Sequence, residues 1–146
     1  MKAILLYEDK DTFQYFKERG LFGAFKNQDY YVILLLDKSE PMDKAKIQEV
    51  IDTIIAGYGP SKIILFGSYA KGTASESSDL DLLIIKETDE PKYKRVVTVR
   101  KLFHAQPCAM DILVYTPKEY HQLLNYKSLI PYIATKEGKI LYETGN

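Results

Sequence analysis

Three aspartates and a Gly-Ser pair carry the chemistry that can be read from this chain. An apolar, strand-like run, Lys62-Ile-Ile-Leu-Phe66, leads into Gly67-Ser68; ten residues follow, and Asp79-Leu80-Asp81 opens a second apolar run. Side chains alternate along a strand, so Asp79 and Asp81 share one face while Leu80 and Leu82 take the other. Two carboxylates this close repel each other, and an apolar strand has no use for them. A hard divalent cation relieves that repulsion, because Mg²⁺ favours carboxylate oxygens, water and substrate phosphates. Gly67 lets the backbone come close to a ligand, and Ser68 offers a hydroxyl and backbone N–H groups to a phosphate. Asp111 begins a third apolar run, Met110–Tyr115. Beside the Asp79/Asp81 strand it completes a cluster able to hold two metals about 3.5–4 Å apart, one orienting a triphosphate and the other lowering the pKa of an attacking hydroxyl. Metal and phosphate ligands gathered at the ends of neighbouring strands are the equipment of phosphoryl transfer. The expected catalytic and metal-binding residues are therefore Asp79, Asp81 and Asp111.

Each of these residues has a plainer alternative. Asp79 and Asp81 could be the solvated start of a strand after a Ser-rich turn, Asp111 a strand-end carboxylate outside any site, and Gly67-Ser68 a strand-to-helix turn with a serine cap. Lys71, close to Gly67-Ser68 in sequence, is the better cation for a triphosphate. Lys92, Lys94, Arg95, Arg100 and Lys101 crowd ten residues without an acid, either as an electropositive rim or as the solvated face of a helix. Cys108 reads as a small hydrophobe beside a buried strand. His104 and His121 have no metal-ligand spacing.

The elements that must position these residues are legible from Asp43 onward. Ile47, Val50, Ile51, Ile54, Ile55 and Tyr58 recur at helical spacing, with Asp43 as N-cap and Gly57-Tyr-Gly-Pro60 as the stop. The runs at 62–66, 80–85 and 110–115 are expected to be strands. Pro91 to Ala105 is expected to be a helix. Thr116-Pro-Lys-Glu119 is a capping box that opens another, through about Tyr126. A last short helix runs from about Ser128 to Gly138, before Lys139-Ile-Leu-Tyr142. The expected fold class is α/β (α+β), a small mixed sheet flanked by helices over residues 42–146. Residues 1–41 read as a β-α-β-like extension of unknown role, with apolar runs at Ala3–Tyr7 and Tyr30–Leu36 and a weakly amphipathic segment, Thr12 to Phe25, between them.

Composition bounds the remaining possibilities. The 146 residues are 46% hydrophobic and 27% charged, with Lys+Arg and Asp+Glu balanced at 20 each. Such a chain is not disordered, and its zero net charge argues against coating nucleic acid by bulk charge. The average hides a segregation, for residues 76–90 hold six acids and one lysine, and the five bases of 92–101 follow directly. One cysteine cannot make an internal disulfide. The longest apolar run, Val32 to Leu36, is too short to span a bilayer, and Glu8 and Asp9 interrupt any signal peptide. The expected compartment is the cytoplasm, without membrane contact.

Gly67-Ser68-x₁₀-Asp79-x-Asp81 followed by the strand aspartate Asp111 resembles the minimal nucleotidyltransferase family of the DNA polymerase β superfamily. The resemblance covers roughly Asp43 to Glu143, including the Thr116-Pro-Lys-Glu119 turn and the Glu137-Gly-Lys-Ile-Leu-Tyr142 tail. It implies a polymerase β-like nucleotidyltransferase fold and Mg²⁺-dependent transfer of a nucleoside monophosphate, usually AMP from ATP, onto a hydroxyl with release of pyrophosphate. It implies that Gly67 and Ser68 hold the triphosphate, that Asp79 and Asp81 bind metal, and that Asp111 completes the site. Many minimal members are antitoxins of a helical HEPN-domain ribonuclease toxin; some adenylylate a toxin tyrosine, others modify tRNA ends. The expectation is thus a protein adenylyltransferase-like antitoxin of a HEPN toxin, with two Mg²⁺ ions as cofactors and ATP as substrate. The alternatives are a protein of the same fold that neutralises its partner by binding alone, and a tRNA nucleotidyltransferase. Members often carry Arg where Tyr69 and Lys71 stand, and residues 1–41 match nothing in the pattern. The missing large C-terminal helical domain favours an acceptor brought by a partner protein over a small aminoglycoside.

Overall fold

The structure, a computed structural model, describes residues 3–7, 22–26, 31–35 and 42–145, the first three stretches by their backbone. The chain divides into two units, Met1–Glu40 and Pro41–Asn146.

The first unit contains β1 (Ala3–Tyr7), β2 (Phe22–Lys26) and β3 (Tyr31–Leu35), an antiparallel sheet in the order β1-β3-β2. Ile33 of β3 lies opposite Leu5 on one side and Ala24 on the other. The amphipathic segment expected to end at Phe25 therefore gives way to a strand at Phe22. The difference arises from backbone pairing, since Phe25 stands in register opposite Val32 of β3, a partnership that local periodicity does not reveal. Residues 12–21 of that segment lie outside the described residues.

The second unit opens with α1 (Lys44–Tyr58). Asp43 caps it by accepting from the Lys46 N–H at 2.8 Å, and Gly59, at φ 63°, ends it in the left-handed region. There follow β4 (Lys62–Phe66), α2 (Gly67–Lys71), β5 (Leu80–Ile85), α3 (Lys92–Arg100), β6 (Met110–Tyr115), α4 (Pro117–Leu123), α5 (Ile130–Glu137) and β7 (Lys139–Glu143). The four strands make a mixed sheet in the order β6-β5-β4-β7. β4 runs antiparallel to β5 and β7, whereas β5 and β6 run parallel, which requires the crossover that α3 supplies.

Alternation divides the sheet's side chains between two cores. Ile63, Leu65, Leu80, Leu82, Ile84, Ile112 and Val114 pack with Val50, Ile51 and Ile54 of α1 and Val99 of α3. On the opposite face Ile64, Leu83 and Ile85 pack with Tyr120 of α4 and Ala134 of α5. β4, β5 and β6 are thus covered on both sides, which is why their sequences read as continuous apolar runs. By the same parity Asp81 and Asp111 belong to the α4/α5 face.

Two helices end earlier than their patterns suggest, at Arg100 and Leu123, whereas the last closes on Gly138 as expected. After α3 the chain is held by a long-range bond, in which the Arg100 guanidinium donates to the Met110 carbonyl at 2.7 Å. The basic run of α3 is therefore partly structural. Arg95 is buried and donates to the Glu90 carbonyl at 2.8 Å and to the Glu119 carboxylate at 2.7 Å. Lys92 sits over the Tyr115 ring. Glu119 also closes the expected capping box with Thr116, so one carboxylate joins α3 to the start of α4. No helix among the described residues is long and apolar enough to cross a membrane.

Candidate active site

β4 delivers the Gly-Ser turn to the end of the sheet where β5 and β6 begin. Phe66, the last residue of β4, is the register partner of Asp81, so Gly67 follows directly beside that carboxylate. Gly67 has φ +70°, and a Cβ built on it would overlap the Asp81 carboxylate, lying 3.0 Å from its Cγ. The position needs glycine both for its backbone conformation and for the closeness of the approach. α2 starts at once, and no side chain caps its first turn, which leaves early N–H groups to be satisfied by solvent or ligand.

This short helix is fixed by its inner residues. Ala70 is buried, and the Tyr69 hydroxyl accepts from the Met42 N–H at 3.0 Å. Gly72, at φ +74°, ends the helix with its N–H on the Ser68 carbonyl. Ser68 and Lys71, three residues apart, are neighbours on the helix surface. Lys71 is exposed and forms an ion pair of 3.2 Å with Glu137, the last residue of α5.

Asp81 and Asp111 are register partners across the parallel pair β5/β6, each in the second position of its strand. Asp81 is half-buried, whereas Asp111 and Asp79 are exposed, the latter immediately before β5. Burial pushes the Asp81 carboxyl above the ordinary carboxylate range, and the charges of Asp111 and then Asp79 push it further. All three carboxylates thus lie within electrostatic reach of one another. Burial and then Asp79 likewise hold the Cys108 thiol above its usual value, surroundings that disfavour the thiolate. His104 and His121 are exposed and join no metal-holding group among the described residues.

Among the described residues no three His, Cys, Asp or Glu side chains converge closely enough to enclose an ion. The donor set nevertheless fits a hard divalent cation. Asp81 is held against Gly67 under the charge of two neighbouring carboxylates, a repulsion that Mg²⁺ relieves with the oxygen ligands it prefers. Glu137 is the residue that sequence reasoning did not assign to the site. Its tail motif was visible, but its contact with Lys71 depends on β7 pairing with β4, which places Lys139 opposite Leu65.

The sequence profile of the nucleotidyltransferase domain matches residues 45–141. Two proteins of Methanocaldococcus jannaschii, both named as inferred protein adenylyltransferases, are similar to this chain. One is 32% identical over 119 residues, covering 72% of this chain and 78% of the relative. The other is 28% identical over 102 residues, covering 68% and 98%. A chain of a toxin–antitoxin crystal structure with AMP-PNP matches at a TM-score of 0.43 and 23% identity, over 70% of this chain and 75% of the other. The profile spans the mixed sheet, the Gly67-Ser68 turn and all three aspartates, and the chain belongs to the nucleotidyltransferase domain family.

Proposed function

We propose that the chain is a Mg²⁺-dependent adenylyltransferase that moves AMP from ATP onto a hydroxyl of a partner protein, and that this partner is a HEPN-domain toxin to which it is the antitoxin. The observation that carries the reading is the meeting of Gly67 with Asp81, and of Asp81 with Asp111, at one end of the sheet. A protein acceptor is supported by the names of the two archaeal relatives. The toxin as acceptor rests on the resemblance of the motif to the minimal family. The cytoplasm, where Cys108 stays reduced, suits this role.

In the proposed reaction the acceptor hydroxyl oxygen bonds to the α-phosphorus of ATP, the bond from that phosphorus to the bridging oxygen breaks, and pyrophosphate leaves with its electron pair. Asp79, Asp81 and Asp111 would hold Mg²⁺, which supplies neutralisation of triphosphate charge and activation of the hydroxyl. Asp111, exposed at the start of β6, takes the hydroxyl proton. Ser68 and the uncapped first turn of α2 orient the triphosphate, and Lys71 neutralises its outer charge. Half-buried Asp81 is held against Gly67, and the exposed Asp79 and Asp111 would draw in towards it around the cation.

The test is co-expression with the candidate toxin, labelled ATP and Mg²⁺, beside an Asp79→Asn/Asp81→Asn double variant. The expected result is an acceptor whose intact mass grows by one AMP with the native chain and stays unchanged with the variant. Equal labelling by both, no labelling by either, or label on tRNA alone refutes the reading.

A further inference from the structure

We infer that Glu137 is a positioning residue for the nucleotide: it is the resting counter-ion of Lys71, and the triphosphate takes its place. The inference rests on the nucleotidyl-transfer reading and adds to it how Lys71 is presented to the substrate. Lys71 lies three residues after Ser68 on the outer side of α2, yet its ammonium is paired with the Glu137 carboxylate at 3.2 Å.

The carboxylate is held there by backbone packing. Glu137 ends α5, Gly138 follows, and Lys139 begins β7 opposite Leu65 of β4. A Cβ on Gly138 would lie 2.6 Å from the Leu65 carbonyl oxygen and 2.9 Å from Cγ2 of Ile64, so the α5–β7 junction is pressed against β4 two residues before Gly67. The junction carries Glu137 to the same end of the sheet, and on the same α4/α5 side, as Asp81 and Asp111.

Both partners of the pair are more than half exposed, at 56% and 54%. Exposed pairs of this kind contribute little to folding, so this one is easily exchanged for another anion. A triphosphate carries more negative charge than one carboxylate and presents it within reach of a three-residue helix neighbour, so it outcompetes Glu137 for Lys71. When pyrophosphate leaves, Glu137 recovers the ammonium. The carboxylate therefore weakens substrate affinity by the strength of the pair it surrenders.

Calorimetric titration of ATP with Mg²⁺ into the full chain tests this without any acceptor. Glu137→Gln is expected to tighten ATP binding roughly two- to fivefold, the range set by an exposed ion pair. In a Lys71→Gln background, which itself weakens binding, the same substitution is expected to change affinity by less than about 1.5-fold, because the coupling has been removed. A Glu137→Gln chain that binds ATP as tightly as the native one, or more weakly, overturns the inference. So does a tightening that persists in the Lys71→Gln background. A native chain that binds ATP while labelling no acceptor leaves this inference standing and sinks the adenylyltransferase reading, whereas one that binds no ATP at all overturns both.

Discussion

Asp81 and Asp111 stand opposite each other on parallel strands, in the second position of β5 and of β6, with Gly67 pressed against the first of them. Parallel neighbours are joined only through a crossover, so α3 sets this pairing although it lends no residue to the carboxylate cluster. A slip of one residue in the β5/β6 register would carry Asp111 to the opposite face, into the core beside α1 and α3. The buried residues on either side, Met110, Ile112 and Val114, make that slip costly. The apolar core thereby fixes the polar geometry.

The first prediction concerns the charge on Asp81. Burial and two neighbouring carboxylates disfavour its ionised form in the folded chain. Its raised value means that the folded state holds this proton more tightly than the unfolded state, and ionisation at neutral pH opposes folding. Asp81→Asn is therefore expected to raise the melting temperature of the metal-free protein, by up to about 2 °C, while abolishing nucleotidyl transfer. It should also remove most of the rise in melting temperature that Mg²⁺ gives the native chain by binding the folded state. A lower metal-free melting temperature in the variant would contradict the electrostatic account.

Two glycines with nearly the same φ separate backbone strain from steric closeness. Gly72 has φ +74° with nothing near a built Cβ, whereas Gly67 has φ +70° with the Asp81 carboxylate in the way. Gly72→Ala is expected to cost about 1–2 kcal/mol, the usual expense of a left-handed L-residue. Gly67→Ala is expected to cost about 1–3 kcal/mol more, as in other overpacked sites, and to displace Asp81 and lower transfer by at least about tenfold. Denaturant unfolding of the two variants side by side measures the difference.

Much of this architecture was legible because alternation and spacing are local properties. Asp43, the Thr116–Glu119 capping box and the three buried strands all follow from neighbours in sequence. What lay hidden depends on pairing across the fold. The ion pair of Lys71 with Glu137 spans sixty-six positions and exists only because β7 adds to β4. Arg95, one of five bases in a run that read equally as rim or solvated face, is in fact buried against Glu119. The strand at Phe22–Lys26 took its conformation from β3 rather than from its own pattern.

Tyr69 supplies a third prediction. Its hydroxyl accepts from the Met42 N–H at 3.0 Å, joining the Gly-Ser turn to the segment before α1. Tyr69→Phe keeps the ring and removes the acceptor, leaving one part-buried N–H unpaired, at an expected cost of about 1–2 kcal/mol. Because the bond anchors α2, the variant should weaken ATP binding while leaving the melting-temperature response to Mg²⁺ near the native one. A variant that loses the Mg²⁺ response would place Tyr69 closer to the carboxylates than this bond implies.

The last prediction uses pH to isolate the bond between α3 and α4. Glu119 accepts from Arg95 at 2.7 Å and from the Thr116 N–H at 2.9 Å. The Arg95 hydrogen bond, with smaller help from Thr116 and the nearby cations and against the opposing effect of burial, holds its carboxyl below the ordinary glutamate value. A depressed folded value stabilises the protein above the unfolded value of about 4.3, and that stabilisation disappears as pH falls through the lower, folded value. Glu119→Gln removes the charge but keeps the shape. It is expected to cost about 1–2 kcal/mol at pH 7, since buried Arg95 then faces a neutral amide and the Glu119 side chain is about a third exposed. As pH falls through the depressed folded value the native carboxyl becomes neutral as well, so the two proteins should converge in stability at the acid end of the range. Thermal unfolding of both from pH 7 to pH 2.5 follows this gap. A gap of constant size across that range would mean that Glu119 acts through packing alone, and that Arg95 draws its compensation from the Glu90 carbonyl.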